Sequence, residues 1–438
     1  MRFMAVGGGN EIGASCYVLE SAGKRLVVDC GLRFRNRGGN RTEPPKLNSL
    51  RGKRVDAIFV THGHLDHIGA MPILATQHPE AKIYATTPTI KIAKLMLGDT
   101  IKIAERNGQT PHFSWDDLGR FLNRVIPVES TEWFSPWEGW RIRFWPAGHM
   151  RGAASIHIES PEGNILHSGD ISFYNTAIVK GARFPEDFRP HLLITEATNG
   201  DRELPDRSAE VARLVAKVRE VNARGGSVLI PAFASERGPN IALELATAGL
   251  KVMTGGMVND VLDICRKYRW CENDPEIPIS DPNIVPISPE LAQEAKGAPA
   301  INPSVPVNVV TTSGMLVAGL SRPLAFHWIE NPRNAILIPG YQAEDVFGRQ
   351  LLNIEHGSYL EFPEREAKRQ VLAEVERFHF SGHASGQQLA SWITALSPET
   401  VIMVHGEWPS FSGLNRLLRG TGFRNRIEFG KTSQTIRC

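Results

Sequence analysis

Four potential metal ligands stand within six consecutive residues of this chain: His62, His64, Asp66 and His67. A β-rich run, Val55 to Thr61, precedes them, and a helical pattern over Leu65 to Gln77 follows, so they fall where a strand gives way to a helix. Neutral imidazole nitrogen and carboxylate oxygen are the donors that a catalytic zinc takes. From a loop leaving a strand, the alternating His62 and His64 can face one metal. Asp66 and His67, at the start of the next helix, can turn toward a second. Packing alone is a poor account of such a run, because buried polar groups without partners are costly.

Further ligands are expected at other strand ends, and three residues qualify. His149 follows the strand Arg141 to Trp145, Asp170 follows the strand Asn164 to His167, and Asp29 closes the strand Arg25 to Asp29. Taken singly, each also reads as a turn residue. The glycines beside His149 and Asp170 would let backbone crowd a metal.

A chain of 438 residues exceeds one ordinary core, which predicts two domains. Hydrophobic content of 42% with 22% charged residues is that of a soluble globular protein. The N-terminus has no signal-peptide core and no apolar run approaches a membrane span of about 18 residues, so the expectation is a cytoplasmic protein without membrane contact. The five cysteines, Cys16, Cys30, Cys265, Cys271 and Cys438, are too scattered for a disulfide framework.

Up to about residue 200, short strands predict an antiparallel-rich sheet with helices packed outside it. After Asp201 the rhythm becomes helix and strand in turn: Ala209 to Asn222, Ser227 to Pro231, Asn240 to Ala248, Lys251 to Thr254, Val258 to Tyr268. The later strands Val307 to Thr312 and Ala335 to Pro339 continue it. That alternation predicts a parallel sheet in a second domain. Pro275 to Pro306 reads as an irregular excursion. Short strands return near Arg377, with a loop at Ser381 to Gly386 and a helix to Leu396.

A net charge of +2 says little about partners, but its distribution says more. Between Gly31 and Arg54 stand Arg33, Arg35, Arg37, Arg41, Lys46, Arg51, Lys53 and Arg54 against one acid, Glu43. This is either a solvated loop or a phosphate-attracting patch. Gly7 to Gly13 imitates a dinucleotide loop, but its last glycine comes one place late and a strand follows, so a tight turn near the site is expected instead.

In their order, these motifs resemble the β-CASP branch of the metallo-β-lactamase superfamily, which includes RNase J and the nuclease of the mRNA 3′-end cleavage complex. The resemblance spans essentially the whole chain. Asp29 matches the first motif, His62 to His67 the second, His149 the third and Asp170 the fourth. Glu196, His383 and His405 match the three motifs that distinguish the branch, and a histidine at His405 is similar to the RNA-processing members. The implied fold is an α/β metallo-β-lactamase αββα sandwich formed by residues 1–200 and 364–438, with an α/β cap over 201–363 inserted into it.

The resemblance also implies two zinc ions, with manganese as the alternative. His62, His64 and His149 would hold one, Asp66, His67 and His405 the other, and Asp170 would bridge them. Asp29, Asp66, Glu196 and His383 form the implied catalytic set, with His383 as general acid positioned by Glu196. RNA is the implied substrate. Ser313, Ser381, Ser385, Arg202, Arg237 and Arg349 are candidates for phosphate contact, and a homodimer is left open. Two departures stand out: Asn199 replaces the usual tyrosine after Glu196, and Arg237-Gly238-Pro239-Asn240 replaces Arg-Ala-Gln-Glu. Rival readings are a lactonase or thioesterase, a DNA nuclease and a catalytically silent RNA-binding subunit.

Overall fold

A computed structural model describes residues 1–35, 41–185, 188–294 and 305–438. Arg37, the side chains of Arg35 and Arg41, and residues 295–304 of the proline-rich excursion lie outside the described residues.

Two sheets face each other. The first has seven strands in the order Thr435–Arg437, Arg2–Gly7, Cys16–Ser21, Lys24–Val28, Ala57–Phe59, Lys82–Thr86 and Val125–Val128. The second has six: Arg426–Phe429, Thr400–Val404, Leu192–Glu196, Gly163–His167, Ala154–Ser160 and Arg141–Pro146. Neither is antiparallel-rich as expected. Lys24–Val28 pairs in parallel with Ala57–Phe59, and Gly163–His167 pairs in parallel with Leu192–Glu196, with parallel pairing from there on.

The alternation of side chains explains the layers. Phe3, Tyr17, Leu19, Leu26, Val28 and Phe59 point between the sheets, where they meet Phe144, Ile156, Ile194 and Ile402. Their neighbours Cys16, Val18, Val27 and Ile58 point outward beneath helices carrying Leu74, Leu97 and Phe121. On the far side of the second sheet, Leu193, Val401 and Met403 are covered by helices Gly386–Leu396 and Trp408–Gly420. Strands buried on both faces read as near-continuous apolar runs, which hides their alternation in the sequence.

The cap is a third sheet of six parallel strands, in the order Ile284–Pro286, Val252–Gly255, Asn308–Thr311, Val228–Pro231, Ala335–Ile338 and Glu374–Arg377. One face packs on Leu214, Val218, Ile241 and Leu245, the other on Leu324, Trp328, Phe347 and Leu351. The parallel sheet was expected. The boundary at 363 is displaced: Glu374–Arg377 completes the cap sheet beside Ala335–Ile338, and the chain rejoins the second sheet only at Thr400.

Cap and sandwich share a seam. Ile92, Met150 and Ile178 of the sandwich pack with Leu243, Leu262 and Cys265 of the cap. Arg151, fully buried, pairs with Asp274 at 3.1 Å and donates to the Pro275 carbonyl. Removing one partner of a buried pair strands the other charge. Asp274→Ala is expected to cost about 3 kcal/mol of stability, read as a lowered urea midpoint, while Asp274→Asn loses less.

Candidate metal centre

The loops at one end of the two sheets converge on Asp170. Thr61 and His62 leave the strand Ala57–Phe59, and His64 precedes the short helix Leu65–Ile68 that carries Asp66 and His67. The helical pattern expected over Leu65 to Gln77 is broken at Gly69-Ala70, and a second helix, Met71–Gln77, begins there. Close approach of two loops sets this path. A side chain on Gly31 would meet the Asp66 carbonyl at 1.7 Å, so only glycine fits.

All seven expected ligands come together. His62 Nε2 lies 3.5 Å from the Asp170 carboxylate, His67 Nε2 3.4 Å and His149 Nε2 3.8 Å. His149 Nε2 faces His64 Nδ1 at 2.9 Å, and His405 Nε2 lies 3.2 Å from Asp66 and 3.4 Å from His67 Nε2. Within this cluster His62, His64, His149 and Asp170 could hold one metal ion, and Asp66, His67 and His405 another.

The ring orientations are fixed from behind. His67 Nδ1 bonds to Asp29 at 2.8 Å, and Asp29 also accepts from the Thr61 amide and hydroxyl. That hydroxyl, having donated to Asp29, is free to accept from His62 Nδ1 at 3.0 Å. His149 Nδ1 donates to the Gly382 carbonyl, and His405 Nδ1 meets the Thr198 hydroxyl. In His62, His67 and His149 Nδ1 is thereby occupied and Nε2 turned inward, which is how outer partners prepare imidazoles for metal, while His405 presents Nε2 to Asp66 and Nδ1 to both Thr198 and Asp170. Asp29 (φ 62°) and His405 (φ 50°) hold left-handed backbone conformations that non-glycine residues seldom adopt.

This donor set fits a metal. A cation can sit between the facing imidazole nitrogens, and buried His62 Nε2 and Asp170 Oδ1 have no hydrogen-bond partner among the described residues. Burial, followed by the charge of His67, holds His62 well below the usual histidine range; burial and His149 push His64 down to about 3; burial and His383 lower His149. These three imidazoles are neutral and ready to ligate. Burial would raise Asp66 and Asp170, but His67 and His405 outweigh it and keep both ionised. At His67 burial works downward, and the carboxylates of Asp170 and Asp66 overcome it and raise its pKa. The carboxylates call for positive charge here, which a proton or a metal can supply.

Beside this cluster stands the Glu196 and His383 pair. His383 Nδ1 lies 3.0 Å from the Glu196 carboxylate, which also accepts from the Ile171 amide. Burial lowers the His383 pKa, but Glu196 and then Asp170 overcome it and raise it to about 9. Asn199, the departure from tyrosine, donates to Ser381 and to the Ala384 carbonyl and so ties the Glu196 loop to the His383 loop.

The phosphate candidates divide. Ser385 caps the helix Gly386–Leu396, Ser381 accepts from the His383 amide, and Ser313 accepts from the Val317 and Ala318 amides. These hydroxyls shape loops. The Thr312 to Met315 backbone does not open a helix; the helix there begins at Ser321. Arg237 donates to the Phe380 carbonyl, Arg349 to the Gln342 carbonyl, and Arg202 is exposed beside Asp201. In the basic stretch, Arg33 is paired with Glu11 and Arg54 with Asp56, while Lys46, Arg51 and Lys53 are exposed. The Gly7 to Gly13 segment is the expected turn near the site: the Gly8 carbonyl accepts from the His405 amide. The glycines beside His149 and Asp170 serve a purpose other than the one expected. A side chain on Gly148 would strike the Ser172 carbonyl, and one on Gly169 would crowd Thr61, so loop-to-loop packing requires them.

Comparison with known proteins now fits this geometry. Residues 9–195 match the metallo-beta-lactamase superfamily, 246–351 the Beta-Casp domain, and 368–428 a Zn-dependent metallo-hydrolase RNA specificity domain. A probable RNase MJ4 of Methanocaldococcus jannaschii is 30% identical over 93% of both chains. The chain belongs to the β-CASP branch of the metallo-β-lactamase superfamily. Ribonuclease TTHA0252 of Thermus thermophilus is 27% identical, covering 95% of this chain and 96% of its own. Cleavage and polyadenylation specificity factor 73 of Drosophila melanogaster is 27% identical over 96% of this chain and 62% of its own. A solved structure, a protein of unknown function from Enterococcus faecalis V583, shares the fold with a TM-score of 0.62 at 14% identity, covering 99% of each chain.

Sequence reasoning missed Thr61, Thr198 and the Gly382 carbonyl. Two are hydroxyl residues beside singled-out acids or histidines, a signal too common to pick them out, and a carbonyl has no sequence signal. If Asp29 acts through His67, Asp29→Asn should lower metal affinity roughly 10–100-fold with the fold intact. Metal titration with circular dichroism as the control checks this.

Proposed function

We infer that this protein is a metal-dependent ribonuclease that hydrolyses RNA phosphodiesters to 5′-phosphate and 3′-hydroxyl ends. The observation that carries the reading is the Glu196 and His383 pair beside a complete metal-ligand set, in a chain whose β-CASP relatives are named ribonucleases. Among the described residues no helix is long and apolar enough to cross a membrane.

Nitrogen and carboxylate donors suit zinc, with manganese as the alternative. His62, His64, His149 and Asp170 would hold one ion, and Asp66, His67, His405 and Asp170 the other. When bound, the metal pair offsets phosphate charge and lowers the pKa of water toward neutrality. Asp29 and Thr61 hold His67 and His62 in their ligating orientation. Asp66, kept ionised by His67 and His405 and partly exposed, can accept a hydrogen bond from the attacking water. The departing 3′ oxygen needs a proton. His383, held protonated at neutral pH by Glu196, is positioned to give it.

A lactonase or thioesterase would use the same metal set but leaves the cap and the Glu196 and His383 pair without a task. A panel of RNA, DNA, lactone and thioester substrates separates these readings, and RNA should be cleaved preferentially. His383→Ala should lower cleavage roughly 10²–10⁴-fold while metal content stays at the wild-type level; full activity with both metals bound would overturn the assignment. The acid form of His383 is the active one, so activity falls as pH rises through its pKa. Glu196→Gln removes the charge that raises that pKa, and the alkaline limb of the rate profile should move to lower pH.

A further inference from the structure

Phe380 is where the cap takes hold of the segment that carries His383. Its amide donates to the Pro339 carbonyl at 3.2 Å, just past the strand Ala335–Ile338. Its carbonyl accepts from Arg237 Nε at 2.7 Å, and the Arg207 guanidinium lies 4.4 Å from the centre of its ring. Farther along, the sandwich supplies the partners: the Ser381 hydroxyl accepts from Asn199, and the Ala384 amide donates to the Ile171 carbonyl at 2.7 Å. The loop that presents His383 is therefore strung between an anchor on the cap and an anchor on the sandwich.

Arg237 holds the cap-side anchor still. It opens the helix Arg237–Thr247, and its largely buried guanidinium lies 3.7 Å from the carboxylate of buried Glu236. Three residues on, the side-chain oxygen of fully buried Asn240 accepts from the Ala177 amide of the sandwich at 2.8 Å. One turn of helix thus grips the sandwich through Asn240 and the Phe380 carbonyl through Arg237, which gives the Arg237-Gly238-Pro239-Asn240 departure a task at both ends. Glu236 lies so close to Gly382 that a side chain there would crowd both the Glu236 carboxylate and the His149 ring. A hydrogen bond from a charged guanidinium is stronger and more directional than one between neutral groups. Its geometry passes to His383 through Ser381 and Gly382 alone.

We propose that Arg237 is a positioning residue for His383: by holding the Phe380 carbonyl it sets the loop so that the His383 ring meets Glu196 and faces the departing 3′ oxygen. The proposal rests on the ribonuclease reading above, with His383 as the acid. Arg237 itself touches neither the substrate nor the candidate metal ligands; its effect travels through the backbone from Phe380 to His383.

The test, on the full chain, compares cleavage of RNA with cleavage of the same RNA carrying sulfur in place of the departing 3′ oxygen. A thiolate leaves without the proton that an alkoxide needs, so the sulfur substrate does not depend on the acid. Arg237→Met removes every donor and should lower kcat on RNA roughly 10–10²-fold, the scale of a displacement of about 1 Å, with KM and metal content retained. The sulfur substrate should be cleaved at the wild-type rate. Arg237→Lys should recover most of the loss, since an ammonium can reach the same carbonyl. Should Arg237→Met fold poorly because Glu236 is left without its partner, the double variant Glu236→Gln with Arg237→Met strands no charge and should show the same split between substrates. Equal losses on both substrates, or RNA cleavage as fast as in the wild type, would overturn the proposal. Hydrogen exchange of the Ala384 amide, measured without RNA, is a second reading: faster exchange in Arg237→Met supports the proposal and unchanged exchange overturns it. Failure of the wild type to cleave RNA would sink the ribonuclease reading instead, and the exchange measurement would still decide whether Arg237 holds the loop.

Discussion

Asp170 is the group on which the site depends. Its carboxylate is almost fully buried, and five histidine nitrogens, from His62, His67, His149, His383 and His405, lie within 4.0 Å of it. A lone buried carboxylate would protonate rather than stay charged. Here His405 and His67 outweigh burial and hold it ionised. The residues that supply them come from four loops spread over more than three hundred positions, so the strand ends must stay aligned for the charges to balance. The parallel pairings Gly163–His167 with Leu192–Glu196 and Leu192–Glu196 with Thr400–Val404 set that alignment, bringing Asp170, Glu196 and His405 to the same end of one sheet.

The same logic runs outward. The candidate ligand rings are aimed by oxygens behind them: Asp29 for His67, Thr61 for His62, Gly382 for His149 and Thr198 for His405. Gly382 comes from the segment that leaves the cap, so that segment helps to set the orientation of the His149 ring. Glu196 and Asn199 extend this coupling, since one holds the His383 ring and the other the loop that carries it. The cap and the candidate site are thereby linked through His149 and His383.

The family resemblance was readable because its residues are chemically expensive. A histidine and aspartate run at a strand end has few structural explanations, and the motifs around Glu196, His383 and His405 follow it in order. The cap rhythm was readable as well, because its helices and strands alternate cleanly. Elsewhere the sequence misled. Strands buried on both faces do not declare their partners, so the parallel half of each sandwich sheet was taken for antiparallel. The cap boundary implied by the resemblance falls short of Glu374–Arg377, which completes the cap sheet while its acids pair with helix Arg207–Ala223. Ser313, Ser381 and Ser385 were candidates for phosphate contact, and their hydroxyl oxygens accept amide hydrogens within their own loops or at a helix cap.

From the sequence alone came the candidate metal ligands, the α/β fold with its inserted cap and the family, all of which depend on residue type and order. Tertiary structure decided which nitrogen each histidine presents and which carboxylates remain charged. Those properties arise from distance and burial between segments far apart in the chain. The run from His62 to His67 names the chemistry, and Asp170, Asp29 and the seam around His383 determine its geometry.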